Sequence, residues 1–486
     1  MNHTYRTVWN AARGNWQAVG ENVRSTGKSP ASCRLARPFS WPVGGLMLVT
    51  LPALGSELPS GGHIVGGAGN LDRQGNSLTI RQDSQNLAIE WDDFSIAEHH
   101  RVDFVQPNAE SSALNRVTGD NVSEIRGALS ANGRVFLINP NGISFSSTAR
   151  VDVGALVAST LDISTEDFMA GRYTFEGGSG NAVINQGNIT AAEGGHVAMI
   201  AAEIINTGSI DTPRGNTLMG AGSRVTLDLG GPLKIEVEEA ALETHIEQGG
   251  AIRADGGRVY LTARAANDLA SSVINHTGIT EARTLASGEN GEIMLMGDMD
   301  SGSVQVAGTL DASAPAGGDG GFIETSAARV QVADGTTVTT HAGNGDTGTW
   351  LIDPKDFTIA DSGGDMTGQT VSDALASNDF EIETATMGTD GGNGDILVND
   401  ELSWSSANTL TLNAERDIEI NREVSITGGG TLALQYGQDS PASGNTASYY
   451  VNAPVNLARS YRQIWWMAVR PHSCLIDRLP ALRPGT

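Results

Sequence analysis

Cysteine is all but missing from this chain of 486 residues: Cys33 and Cys474 lie in its two ends, and the long stretch between them has none. A body stapled by disulfides is therefore excluded, and nothing in it would lock before passage through a narrow pore in an oxidising compartment. Aromatic residues are scarce at 5%, charged residues reach only 18%, and lysine past residue 55 is confined to Lys234 and Lys355. The apolar run at 43–51 (VGGLMLVTL) is far short of the ~20 residues that a permanent membrane helix needs. What the chain has in abundance is glycine, 61 residues. Glycine weakens a helix interior by about 1 kcal/mol per site, so this composition suits a fold of many tight turns.

Charge is unevenly spread. The first 37 residues carry +5 and residues 459–486 carry +4, so a total of −26 leaves −35 on the middle. A body this acidic repels phosphate backbones, and no nucleic-acid partner is expected. The run at 43–51 follows basic residues and precedes Pro52 and the small-residue site Ala53-Leu54-Gly55. That is the layout of a secretory signal, with cleavage expected between Gly55 and Ser56. Some 35 residues stand ahead of its apolar core, roughly doubling an ordinary signal of about 15–30 residues. Met1-Asn2, Tyr5-Arg6 and Trp9-Asn10 resemble the extended signal region of type V secreted proteins.

The body repeats itself. VINQGNI at 183–189, IINTGSI at 204–210 and VINHTGI at 273–279 align, and Ile189, Ile210 and Ile252 read as steps of one and two periods of about 21 residues, with longer steps to Ile279 and Leu310. Each unit reads as short alternating strands parted by a glycine turn and closed by a Gly-Gly corner: Gly194-Gly195, Gly256-Gly257 and Gly320-Gly321. Segments this short cannot stand alone as a sheet, so stacking must supply the core. The expected fold is all-β, a right-handed parallel β-helix with an N-terminal cap. Residues 60–455 would give roughly 18 coils and a rod on the order of 85 Å at about 4.8 Å per coil. Asn185 and Asn206 are expected to stack inside it and satisfy corner backbone groups.

The run ALNRVTGDNVSEIRGALSANGRVFLINPNGISF at 113–145 resembles the haemagglutination-activity, or two-partner-secretion, domain of filamentous haemagglutinin-type exoproteins. Its marker is Asn139-Pro140-Asn141-Gly142-Ile143, and the likeness extends to SGGHIVGG at 60–67, FVQPN at 104–108 and VGALVAST at 153–160. Physically Asn-Pro-Asn-Gly is a turn: proline presets φ, asparagine accepts from the backbone two residues on, and glycine closes it. The resemblance implies that this turn is a secretion motif. Gln106-Pro107-Asn108 stands where the family often has a second one, departing from its pattern, and Asn115 and Arg116 fit the family's Asn-Arg-Val step as supporting residues. It also implies a partner, an outer-membrane β-barrel transporter with periplasmic POTRA domains, and a product secreted or held at the surface of a Gram-negative bacterium.

The expected organisation is an extended signal peptide at 1–55, a secretion domain at 56–300, continuing β-helix repeats at 301–458, and an atypical basic tail at 459–486. The tail (RSYRQIWWMAVRPHSCLIDRLPALRPGT) has no period, and it is expected to be frameshifted or truncated and unpaired in the fold. The expected role is that of an adhesin or haemagglutinin with a host-cell or carbohydrate receptor. A cytolysin, a contact-dependent toxin carrier and a haem-acquisition exoprotein are the alternatives.

No catalytic residue, metal site or cofactor is expected. A polysaccharide lyase on a β-helix needs acidic metal ligands and a basic residue converging on one groove, and the arginines show no clustering at the repeat spacing. Asp361-Ser362-Gly363-Gly364 and the 391–395 segment read as turns, and His196, His245 and His276 as coil-surface residues. Three glycosylation sequons, beginning at Asn121, Asn188 and Asn275, decide nothing.

Overall fold

A computed structural model describes residues 57–229, 234–264, 272–286, 288–384, 392–437 and 447–458, with the backbone of the strands Tyr5–Asn10, Asn15–Gly20 and Ser473–Leu475. Residues 1–53 form one unit, in which the first two strands pair antiparallel, Trp9 opposite Trp16. The second unit holds the rest of the chain.

That second unit is a parallel β-helix. One regular coil runs Ala182–Asn185, Asn188–Ala191 and His196–Ala201, and the next begins at Glu203. Three sheets of fifteen, eleven and eight strands arise from repeating this path. The fifteen-stranded sheet is the continuous one. Its first strand, His63–Gly66, and its last, Ser473–Leu475, pair antiparallel, which leaves thirteen parallel rungs from Asn86–Trp91 to Thr431–Tyr436. Thirteen rungs at about 4.8 Å span about 58 Å, shorter than the expected rod because many coils are longer than 21 residues. The antiparallel strands His63–Gly66 and Gly69–Gln74 cover the first coil. An unpaired first rung would otherwise expose a row of backbone donors and acceptors.

The column of corner glycines explains the glycine content. A Cβ on Gly195 would overlap the carbonyl oxygen of Gly154, and the same holds for Gly215 against Gly195 and Gly257 against Gly215. Coils at sheet spacing leave no room for a side chain there.

Inside, aliphatic side chains stack in register. Ile189, Ile210 and Ile252 are successive partners. The interval between Ile210 and Ile252, taken as two periods, is one coil carrying the hairpin Arg224–Asp228 and Lys234–Glu239. The next position in the ladder is Thr280, fully buried, while Ile279 is 43% exposed, so the expected step to Ile279 is off by one. Beside this ladder runs a polar one. Asn185 Nδ2 donates to Asn206 Oδ1 at 2.8 Å, Asn206 Nδ2 to Gln248 Oε1 at 2.7 Å, and Asn185 Oδ1 accepts from Gly187 N at 3.1 Å. The expected asparagine stack is present, and Gln248 and then His276 continue its register.

Two excursions leave the solenoid and meet. The helix Thr165–Met169 and strand Thr174–Glu176 depart before His196, and the hairpin departs after Asn216–Ala221. Thr174–Glu176, Arg224–Asp228 and Lys234–Glu239 form an antiparallel sheet in that order. It encloses a second core of Phe136, Phe168, Phe175, Val225, Ile235 and neighbours on the outer side of the long sheet. Strands beneath it are buried on both faces, as in Ala155–Ser159 and His196–Ala201.

After Thr337–Thr339 the eleven-stranded sheet ends, and the eight-stranded one has ended at Arg329–Val332. Smaller four- and three-stranded sheets take over from Phe357–Ile359, flanked by the helix Gly368–Ala374. The tail was expected to be unpaired, but Ser473–Leu475 lies antiparallel to Ala433, Leu434 and Gln435 at the open edge of the long sheet. The rest of the tail lies outside the described residues, as do Gly55 and Ser56.

Candidate functional site

The 139–143 turn joins the strand Arg134–Ile138 of the long sheet to Ile143–Phe145. Asn139 is fully buried and every polar end of its side chain is used. Its Nδ2 donates to Asn121 O and to Ser123 Oγ, both at 2.9 Å, and its Oδ1 accepts from Asn141 N at 2.9 Å and Asn141 Nδ2 at 3.2 Å. Asn141 Nδ2 also donates to Gly119 O at 2.7 Å. Gly142 has φ 117 and its N–H donates to Asn139 O, closing the turn. Pro140 is exposed, but its carbonyl accepts from Ser179 Oγ at 2.6 Å and Asn181 Nδ2 at 2.8 Å. Five residues thus tie together the segment before them (119–123) and a segment beyond them (179–181). Ile143 is buried in the main core.

Gln106 is a buried bolt of the same kind, with Pro107 and Asn108 exposed beside it. Its Nε2 donates to Gln82 Oε1 at 3.0 Å and Ser111 O at 3.0 Å, and its Oε1 accepts from Gly133 N at 2.9 Å. Gln82 and Gly133 lie in the coils on either side, and Ser111 in its own loop. Asn108 Oδ1 accepts from Glu110 N and from Ser111 Oγ, both at 3.0 Å, a local turn.

Asn115 points into the core, where its Oδ1 accepts from Trp91 Nε1 at 3.1 Å and its Nδ2 reaches Phe136 O at 3.2 Å. Arg116 faces the other way and clamps the first excursion. Its side chain is 15% exposed, its Nε donates to Asp162 Oδ1 at 2.9 Å, its Nη1 to Thr165 Oγ1 at 3.1 Å, and its Nη2 to Ile163 O. The structure therefore brings Asn115, Arg116, Asn139 and Gln106 into adjoining rungs, each holding backbone in place.

Two of the three histidines correct the surface reading, while the His245 side chain is 39% exposed. His276 is fully buried in line with the polar ladder, its two ring nitrogens at 2.8 Å from Ala307 O and 2.9 Å from Thr280 Oγ1. His196 is 6% exposed and its Nε2 is buried without a hydrogen-bond partner among the described residues. Burial, with Arg134 adding to it, holds the His196 ring down to about 4, so it is neutral at physiological pH.

The arginines do converge, which the linear spacing concealed. Arg134, His196, Asn216 and Arg258 begin strands of the long sheet and fall in one register column, with Ala155 between the first two. Together with Arg214, Gly194, Gly256, Gly257, Leu229 and Asn290 they line a cavity of about 470 Å³. The signal lay in the Gly-Gly corners: His196 and Arg258 each follow the second glycine. One half of the argument against a lyase, the absence of converging basic residues, thereby falls. Among the described residues no group of three or more His, Cys, Asp or Glu is placed to hold a metal ion.

Comparison with known proteins places these features in a lineage. Residues 57–311 match the family described as TPS secretion domain, and residues 1–49 match the extended signal peptide of the type V secretion system. A heme/hemopexin-binding protein of Haemophilus influenzae strain Rd is 34% identical over 257 residues, which are 50% of this chain and 27% of that protein. A second heme/hemopexin-binding protein of Haemophilus influenzae is 31% identical over 247 residues, 46% of this chain and 26% of that protein. The aligned stretches thus span about a quarter of these curated relatives. The crystal structure of the HMW1 secretion domain from Haemophilus influenzae superposes with a TM-score of 0.55 at 22% identity, covering 82% of this chain and 98% of that one.

Proposed function

The chain belongs to the TPS secretion domain family, and from that membership we propose that the rungs around the 139–143 turn nucleate the solenoid and present it to the transporter. The chain is a two-partner-secretion exoprotein that passes through the periplasm and across the outer membrane of a Gram-negative bacterium, guided by its signal extension and secretion domain. Its partner is an outer-membrane transporter; in this reading POTRA domains on the periplasmic side engage the first rungs of the mature chain, which starts at Ser56. The observation that carries the reading is the use of Asn139, which spends its whole bonding capacity linking the 119–123 segment to the turn. A coil ordered this way offers a complete edge on which the next coil pairs. Burial of about 300 Å² of apolar area per coil contributes about 7 kcal/mol before the entropy of ordering. That is enough to bias thermal motion of the chain outward without a nucleotide.

Co-expression with the cognate barrel, assaying the medium, tests this. Asn139→Ala and Asn141→Ala are expected to lower the secreted amount by about tenfold, the scale of one to two buried hydrogen bonds. Normal export of both variants removes the turn from the mechanism. In this reading Gln106, Asn115 and Arg116 act on export only through folding.

A rod projecting from the cell suits adhesion to a host-cell or carbohydrate receptor, and the reading is of a non-enzymatic exoprotein. The two heme/hemopexin-binding relatives favour a second reading, capture of haem or a haemoprotein. Whole-cell adherence and haemopexin pull-down, each with and without the gene, separate the two.

A further inference from the structure

The arginine-lined cavity carries an inference that goes beyond export. Arg214 occupies a corner position that is glycine in the neighbouring coils: Gly194 and Gly256 have φ 75 and φ 73, and Arg214 keeps the same left-handed conformation at φ 55. Among the described residues only one other non-glycine, His99, has positive φ. A side chain held where the fold prefers none is a mark of use, since the conformation is one that L residues rarely adopt. Arg214 donates to Glu193 Oε1 at 3.1 Å and Glu289 Oε2 at 2.6 Å, and Arg258 pairs with Glu292 at 2.8 Å. None of those carboxylates lines the cavity. Arg134, half-buried, has no carboxylate within ion-pair distance among the described residues, although the body around it is strongly acidic.

Two rungs from Arg134 stands His196, 6% exposed, its Nε2 shielded from solvent and without a hydrogen-bond partner among the described residues. The remaining polar groups of the lining, Asn216 and Asn290, both donate and accept, and the glycines at the corner bring backbone close to the cavity. The volume of about 470 Å³ falls within the range of small-molecule sites.

We propose that this cavity binds a small oxyanion-bearing ligand of about monosaccharide size, its carboxylate, sulfate or phosphate group held by Arg134, Arg214 and Arg258. Guanidinium forks match each of these anions with paired, charge-assisted hydrogen bonds. Asn216 and Asn290 serve the neutral part of the ligand. Arg134 opens the strand that ends at the 139–143 turn, so the cavity and the turn lie at opposite ends of that strand.

Calorimetric titration of the purified chain at low ionic strength with inorganic sulfate, inorganic phosphate and glucuronate, with glucose as the neutral control, tests it. One-site binding of at least one oxyanion and none of glucose is expected. Sulfate and phosphate against glucuronate tells a tetrahedral group from a carboxylate. Arg134→Gln and Arg214→Gly should each weaken binding by about tenfold, the loss of one charged contact. Arg214→Gly restores the corner glycine, so its melting temperature should hold or rise. Absence of saturable binding, binding that both variants retain, or a fall in the Arg214→Gly melting temperature with binding intact would each overturn the assignment.

Discussion

The outer face of the long sheet changes character along the solenoid, and the two halves show what covers a β-helix. In the early rungs one outward column reads Ala88, Leu114, Phe136, Val157, Ala198 and Leu218, all buried under the antiparallel excursion. The same column continues as Tyr260, Met294, Glu324, Leu351, Glu381, Thr411 and Ala433, none of them buried. The inner column is apolar but for the buried Thr217, and it ends in Trp350, Phe380, Leu410 and Leu432. A solenoid needs only its inner face to stack, and a second core is added where an excursion comes back over the outer one. The matched family spans 57–311, which holds the whole of that second core.

The largest effect should separate the halves directly. Phe136→Ala empties a site packed edge-on to Phe168 at 5.2 Å and stacked with Tyr173 at 5.1 Å, and is expected to cost about 3–5 kcal/mol. Leu351→Ala, at the matching outward position, is expected to cost about 1 kcal/mol, because that side chain is only half-buried. Denaturant unfolding measures both, and equal losses would mean that the second core adds nothing.

Acid should act on the halves with opposite sign. In the early half burial holds His196 down to about 4 and also lowers His276. The unfolded chain takes up protons near pH 6.5 that the folded one refuses, so this stability is present above about 6.5 and is lost as pH falls toward 4, about 3 kcal/mol for His196. In the later rungs burial raises Asp365 and Glu381. Those two cost stability as pH rises through their folded values, and acid relieves them. Hydrogen exchange at pH 7.5 and 5, corrected for intrinsic rates, should show protection falling around Met199 and Met219 relative to Ile382 and Leu412. A uniform fall, or the same fall in His196→Gln, breaks the contrast.

The smallest effect concerns the later outer face alone. Glu381→Gln removes a carboxylate that burial disfavours, and should raise stability at neutral pH by under about 1 kcal/mol. A loss in thermal melting would show that the charge is used there.

Much of this was legible in the order of residues. The coil path and the turn at 139–143 could be read because glycine corners and alternating strands are local signals, set by φ preference and by period two. The asparagine ladder could be read because Asn185 and Asn206 lie one regular coil apart, 21 residues. The two-period reading of Ile210 to Ile252 failed because an inserted hairpin and an extra coil have the same length in sequence. The same insertion hid the arginine column, in which Arg134 and Arg258 share a register across four rungs of unequal length.

The sequence by itself determined that this chain stacks, where it turns, and that its interior is aliphatic with an amide seam, since each depends on a residue and its near neighbours. Only the tertiary structure decided which residues meet between coils: that His196 and His276 are buried, that Thr280 and not Ile279 enters the ladder, and that three arginines face one cavity. Register is the reason. Pairing across coils adds up every insertion that came before it, and a one-residue shift moves a side chain from the core to the surface.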